Sequence, residues 1–379
     1  MVRFGIDRIH EERELLQGRA ALITAPSGRT ADNRSSVERL REVCDLRLLL
    51  APEHGVRGDK AAGESFENGI DGPSGLPVMS LYSAGSKRLP RTAMELFDTL
   101  VYDIQDVGCR HYTFISTLKN ALEDCAAAGK RVVVLDRPDP LGDRVEGTVL
   151  RAETASFVGC YDIPARYGLT CGEFARMVNG EQKLGCDLHV VRCEGLRRGM
   201  DFYDWGRVWV MPSLAMPRFE TALLYPATCL LEGTNLSEGR GTADPFGIVG
   251  APYIRAEELA RQIEALGEPG VAATPVWFTP AASKHKGVLC GGVQLHVTDR
   301  KALRPVYLGI RLIKLLTEHY PEEFRLLSPS EGDELPFISR LAGHRLFETA
   351  DWSPEELIRQ GERESAAFVR RCEPWRLYE

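Results

Sequence analysis

Three familiar phosphate and nucleophile signatures are missing from this chain: a Walker A loop, a G-x-S-x-G elbow, and a G-x-G-x-x-G turn after the first apolar run. Their absence argues against a P-loop NTPase, an elbow-type serine hydrolase and a dinucleotide-dependent dehydrogenase. None of the ten cysteines (Cys44, Cys109, Cys125, Cys160, Cys171, Cys186, Cys193, Cys229, Cys290 and Cys372) forms a C-x-x-C pair. Scattered cysteines in a long, apolar-rich chain read as buried free thiols of a reducing compartment, not as a zinc site or a disulfide framework. Basic residues are outnumbered, 47 to 54, for a net charge of −7, and they cluster no further than pairs such as Arg197-Arg198. A phosphate-backbone binder needs a basic face, so nucleic acid is not the expected partner. No apolar run is long enough to cross a bilayer. Met1 to Glu14 is charged and lacks the apolar centre of a signal peptide, which predicts a cytoplasmic protein.

What is present is an ordinary globular composition, 44% hydrophobic and 27% charged over 379 residues, long enough for two domains. Short apolar runs alternate with helical stripes through the first 140 residues. The runs predict strands over 20–25, 46–51, 77–82, 99–104 and 131–135. The stripes predict helices over 35–44, from Pro90 onward, and through Phe114, Leu118, Ala121, Leu122 and Cys125. The run RVVVL at 131–135 has no polar alternation, as expected of a strand covered on both faces. This rhythm predicts an α/β fold with a doubly wound, largely parallel sheet. Beyond it, Thr170 and Glu173 form a capping box, and 209–212 reads as a last strand or its exit. Residues 231–241 read as a glycine-rich functional loop or domain junction. Helices over 256–266 and 306–316 and a strand over 291–298 fit a second, smaller α+β domain.

In open parallel sheets the ligand lies beyond the carboxyl ends of the strands. The segments there are PEHG at 52–55, QDVG at 105–108 and DRPDP at 136–140, all acidic, so a crevice lined with carboxylates is expected. Glu53 and His54 stand directly at a strand end. His54 as a metal ligand is the weaker reading, because a lone Glu-His pair lacks the i, i+4 spacing of helix-borne ligands. Asp103 falls within or at the end of a strand, where a structural hydrogen bond to loop amides is the common role, and Gln105, Asp106, Arg110, His111 and Tyr112 form a dense polar and aromatic set at a helix start, where Arg110 would attract an anionic group. Cys109 lacks a paired base and reads as a packed thiol. Glu146, Glu232 and Glu238 sit in loops where a solvated carboxylate is as good a reading as a functional one. Carboxylates interleaved with Arg, Tyr, His and Trp suit a sugar, and two carboxylates are the usual equipment of glycoside hydrolysis.

Long motifs then follow one another in order: APEHGVRGDKAAGE, SGLPVMSLY, YDIQDVGCRHYTFISTL, VVVLDRPDPLGDRVEG, YGLTCGEFARM, LLEGTNLSEGRGTADPFGIVGAPYI and GGVQLHVTDR. Together they resemble the peptidoglycan exo-β-N-acetylmuramidase (NamZ) family across nearly the whole chain. The resemblance implies release of a terminal β-linked N-acetylmuramic acid from the non-reducing end of peptidoglycan fragments. It also implies a Rossmann-like catalytic domain over 1–228, a smaller domain over 229–379, a cleft between them, and no nucleotide or metal cofactor. Carried over by position, Glu53 is the leading catalytic carboxylate and Glu146 the second. His54, Arg57, Asp103, Asp106, Arg110, Tyr112, Asn235, Glu238 and Arg240 become substrate-binding candidates, with an arginine among Arg57, Arg110 and Arg240 holding the lactyl carboxylate.

Two departures bear on the substrate. Tyr167 stands where the family usually has His in R-H-G-M-T, and Ala215 where it often has Asn in P-S-P-N-M-P. They leave open an exo-glycosidase for a different terminal amino sugar. Also open are a non-catalytic sugar- or muropeptide-binding protein and a metal-dependent hydrolase using His54, Asp59 and Asp106. The expected partner is a soluble muropeptide or disaccharide, with no membrane involved.

Overall fold

Runs of branched apolar residues build the central layer of the protein, seen here in a computed structural model that describes residues 1–61, 63–82, 85–330 and 332–379. The first six strands are β1 (Arg19–Thr24), β2 (Asp45–Ala51), β3 (Gly69–Ile70), β4 (Pro77–Ser80), β5 (Thr99–Asp103) and β6 (Arg131–Leu135). They are followed by β7 (Glu146–Val149), β8 (Pro164–Arg166), β9 (Asp187–Val191), β10 (Ile248–Ala251), β11 (Val271–Phe278) and β12 (Cys290–Val297). A seven-stranded sheet takes the order β3-β4-β2-β1-β5-β6-β9. All its pairings are parallel except β3 with β4. Without β3, the parallel strands stand in the order third, second, first, fourth, fifth, sixth. That is the Rossmann order, and it reverses between β1 and β5.

Burial follows position in the sheet. Every residue of β5, and all of β6 after Arg131, is buried, because crossover helices such as Phe114–Ala127 and Cys171–Glu181 cover the faces. The edge strand β9 is mostly half-exposed, so it carries a weaker apolar signal. This corrects the expectation at 209–212, which is irregular: β9 is the sixth parallel strand. The capping box forms as expected. Thr170 Oγ1 accepts from the Glu173 amide at 3.1 Å, and Glu173 accepts from the Thr170 amide at 3.0 Å.

The second, smaller domain is a three-stranded antiparallel sheet, β10-β12-β11, with the helices Ala256–Ala265 and Pro305–His319. The long helix Pro354–Cys372 runs back to pack on β7 and β8, which form a separate two-stranded ribbon. All ten cysteines are free, and all but Cys44 and Cys160 are buried. Among the described residues no helix is long and apolar enough to cross a membrane.

Candidate active site

The chain leaves β2 at Ala51 and turns at once. Pro52 O accepts the Gly55 amide at 3.0 Å, and His54, third in the turn, has φ +73°. That left-handed conformation costs a non-glycine residue about 1–2 kcal/mol, and it presents Glu53 at the turn's apex. The Glu53 carboxylate is nearly buried and held at both oxygens. Oε1 accepts from the Gly63 amide at 2.9 Å, and Oε2 from the Thr113 hydroxyl at 2.6 Å. Thr113 is the residue preceding the helix Phe114–Ala127, so the end of β2 and the start of that helix clamp one carboxylate between them.

Glu53 faces a pocket of about 320 Å³ whose polar wall includes Tyr82, His111, Tyr112, Ser213, Glu232 and Arg240. This pocket shares His54, Ala215, Glu232, Arg240 and Phe337 with a wider groove of about 700 Å³. Burial pushes the Glu232 carboxyl up, and Arg240 opposes that shift. Arg240 Nε donates to Glu232 Oε1 at 2.7 Å and lies 3.5 Å from Glu238 Oε1. Its two terminal nitrogens have no partner among the described residues. Lys284 Nζ pairs with Glu238 at 2.9 Å and donates to the carbonyls of Leu231, Thr234 and Leu236 at 2.6–2.9 Å. One cation thereby fixes the glycine-rich loop that carries Glu232 and Arg240. Burial, with Arg110 beside it, lowers His111 to about 3, so His111 is neutral at ordinary pH. His111 Nε2 and the Tyr112 hydroxyl are buried without hydrogen-bond partners among the described residues. Unsatisfied polar atoms in a pocket wall are the ones a polar ligand would satisfy.

Of the residues singled out in the sequence, the fold brings together Glu53, His54, His111, Tyr112, Glu232 and Arg240, with Glu238 in the adjoining groove. It sends the others elsewhere. Glu146 lies on β7, 2% exposed, accepting the Tyr307 amide at 3.1 Å on the outlying ribbon, and does not line the pocket. Arg57 is held by Asp71 through two hydrogen bonds of 2.7 Å, bracing the loop after β2. Asp103 is fully buried and takes two bonds from Arg137, at 2.6 and 3.0 Å. Asp106 accepts from the Gly108 amide and the Tyr167 hydroxyl, at 2.8 and 2.6 Å, and burial raises it to about 6. Asn235 binds the Glu323 carbonyl, the Tyr253 hydroxyl and the Arg325 amide.

Arg110 is the sharpest reversal. Expected to meet an anionic ligand, it is wholly buried and donates to four carbonyls, of Thr148, Ile163, Leu341 and Ala342, at 2.6–3.1 Å. The expected row of carboxylates also changes. Asp136 and Asp139 are buried, raised by desolvation to about 6 and about 8, and they serve the backbone. Asp136 accepts the Gly172 amide at 2.7 Å, and Asp139 the Leu141 amide at 2.8 Å. The pocket's carboxylates are Glu53 and Glu232 instead.

Sequence reasoning misses Thr113, Tyr82 and Ser213 as site residues. A polar residue at a helix start is the one available signal for Thr113. Of the two departures, Tyr167 is buried against Asp106 and lies off the pocket, whereas Ala215 lines it. Among the described residues no group of three His, Cys, Asp or Glu side chains is placed to hold a metal ion.

Comparison with known proteins identifies the chain's relatives. Residues 20–220 match the family description "Exo-beta-N-acetylmuramidase NamZ, N-terminal", and residues 223–378 match its C-terminal counterpart. The chain is 45% identical over 339 residues to the peptidoglycan β-N-acetylmuramidase NamZ of Bacillus subtilis (strain 168), covering 88% of this chain and 82% of that one. It superposes on two crystal structures of DUF1343-family proteins from Bacteroides fragilis. One has a TM-score of 0.88 at 33% identity and the other 0.78 at 28%. Each match covers 100% of this chain and 99% of the other.

Proposed function

The chain belongs to the exo-β-N-acetylmuramidase NamZ family, and from that premise we propose that it hydrolyses the β-glycosidic bond of a terminal N-acetylmuramic acid on peptidoglycan fragments. It is a glycoside hydrolase. The observation that carries the reading is Glu53, a carboxylate gripped by the Gly63 amide and the Thr113 hydroxyl at the mouth of a polar pocket. In this reading Glu53 delivers the proton to the leaving glycosidic oxygen. Glu232 takes the second role sequence reasoning gave to Glu146, because it lines the same pocket and Glu146 does not. It steadies positive charge at the anomeric carbon or orients water or the substrate's acetamido group. Arg240, with its terminal nitrogens unengaged, holds the lactyl carboxylate.

The catalytic unit spans 1–228 in this proposal, and the smaller unit 229–379 contributes Glu232 and Arg240 from across the cleft. The work is done in the cytoplasm on soluble muropeptides or disaccharides, without nucleic acid, membrane or bound cofactor. A product screen with an aryl β-N-acetylmuraminide and muropeptide disaccharides tests it. Turnover with release of free N-acetylmuramic acid supports the hydrolase. Saturable binding without product would favour a binding protein, and loss of turnover on chelation a metal enzyme. Ala215 in the pocket wall favours one further comparison, the same screen with other terminal amino sugars.

A further inference from the structure

A second cavity, of about 230 Å³, lies where the strand order reverses, between the carboxyl ends of β1 and β5. Ser27, three residues beyond β1, and Gln105, two beyond β5, both line it. None of its lining residues lines the Glu53 pocket, which opens at the end of β2 instead. Open α/β sheets place ligands at this reversal point, and the proposed reaction leaves it unused.

The charges around the cavity do not cancel. Three guanidinium groups line it. Arg137 is matched by Asp103, and Arg207 by Asp7. Arg29 has no carboxylate partner among the described residues. Its Nε and Nη1 donate only to the carbonyls of Pro26 and Asn33, at 3.3 and 3.0 Å, and Nη2 donates to nothing. One positive charge is therefore left over, on a group built to grip a carboxylate or phosphate by two bonds.

Part of the wall is aromatic. Trp205 is 1% exposed, and its indole N–H, a donor only, finds no acceptor among the described residues. Trp209 and Phe202 meet edge to face at 5.3 Å, their rings perpendicular, and form an apolar corner of the cavity. The volume falls below the range of about 300–1,000 Å³ typical of drug-sized ligands, so it suits one ring and not a dinucleotide.

We infer that the cavity at the β1/β5 reversal is a binding site for an anionic monosaccharide, with the acid group on Arg29 and the ring against Trp209. A sugar carboxylate and a sugar phosphate share that chemistry. The site stands independently of the hydrolytic reading: absence of turnover would sink that reading and leave the titration below intact.

The experiment is calorimetric titration of the full chain with N-acetylmuramic acid, N-acetylglucosamine 6-phosphate, neutral N-acetylglucosamine and inorganic phosphate, with tryptophan fluorescence in parallel. At least one anionic sugar should bind at least tenfold more tightly than both the neutral sugar and inorganic phosphate, and which one it is identifies the acid. Arg29→Met should weaken that binding tenfold or more, while kcat and KM on an aryl muraminide stay within twofold, which also shows that the variant folds. Arg29→Lys should give an intermediate loss, and Trp209→Phe should remove most of the fluorescence change. The inference is overturned if neither anionic sugar binds, if inorganic phosphate or the neutral sugar binds equally well, or if both Arg29 variants bind like the parent.

Discussion

The hydroxyl of Thr113 donates to Glu53 Oε2 across 2.6 Å, joining residues sixty apart in sequence. With the Gly63 amide on Oε1, it fixes both rotation and position of the one carboxylate that stands at a strand end and faces the pocket. A hydrogen bond to a charged group contributes about 1.5–3 kcal/mol, enough to hold a single rotamer.

Glu53→Gln keeps the shape and the two hydrogen-bonding positions but has no proton to give. Turnover on a natural disaccharide should fall by about two to four orders of magnitude, the usual worth of general acid catalysis. An aryl substrate with a good leaving group should lose much less in that step. Thr113→Val should lower kcat more than it changes KM, because it frees the carboxylate that delivers the proton. Near-normal turnover by Glu53→Gln on the disaccharide would remove Glu53 as the acid.

Arg240→Lys should separate two substrates. Lysine keeps the charge but not the planar fork, so a muraminide, with its lactyl carboxylate, should lose far more kcat/KM than the corresponding glucosaminide. Equal losses would mean that Arg240 serves Glu232 and Glu238 alone.

Arg110→Ala predicts a failure of folding, not of selectivity. It strips the donors from four buried carbonyls, each costing about 1–3 kcal/mol if left unpaired. Soluble yield and denaturation midpoint should drop steeply, while the muraminide-to-glucosaminide ratio of any folded fraction is unchanged. A stable Arg110→Ala protein with altered selectivity would return Arg110 to the site.

Two histidines give a pH prediction. Burial, then the Arg110 charge, brings both His111 and His344 down to about 3. A histidine neutral when folded takes up a proton on unfolding, so its stabilising effect is intact above about pH 6.5 and drains away as pH falls toward 3. Each contributes a slope of about 1.4 kcal/mol per pH unit in that window. His344, off the pocket, is the cleaner test. In urea unfolding from pH 7 to pH 4, His344→Phe should gain on the parent as pH falls, and a constant difference would show that His344 titrates normally.

Local patterns carried the architecture. The unbroken apolar run at 131–135, the stripe from Phe114 to Cys125 and the Thr170/Glu173 capping box each depend on neighbours within a turn or a strand, so they could be read in place. Glu53 was legible for the same reason, since a polar residue directly after a buried strand of a parallel sheet has one edge to stand on. The sequence by itself therefore determined the doubly wound sheet and the family, and it put Glu53 at the sheet's edge. It could not say which of the polar residues in DIQDVGCRHY turn inward. Arg110 is claimed by carbonyls as far as 232 residues away, Arg57 by Asp71, and Asp106 by Tyr167, while Glu232 and Arg240 arrive from the far side of the chain. Those assignments rest on desolvation and on partners brought close by packing alone. A charged side chain stays buried only where the rest of the fold supplies its hydrogen bonds, so the tertiary structure decided which charges hold the protein together and which face the pocket beside Glu53.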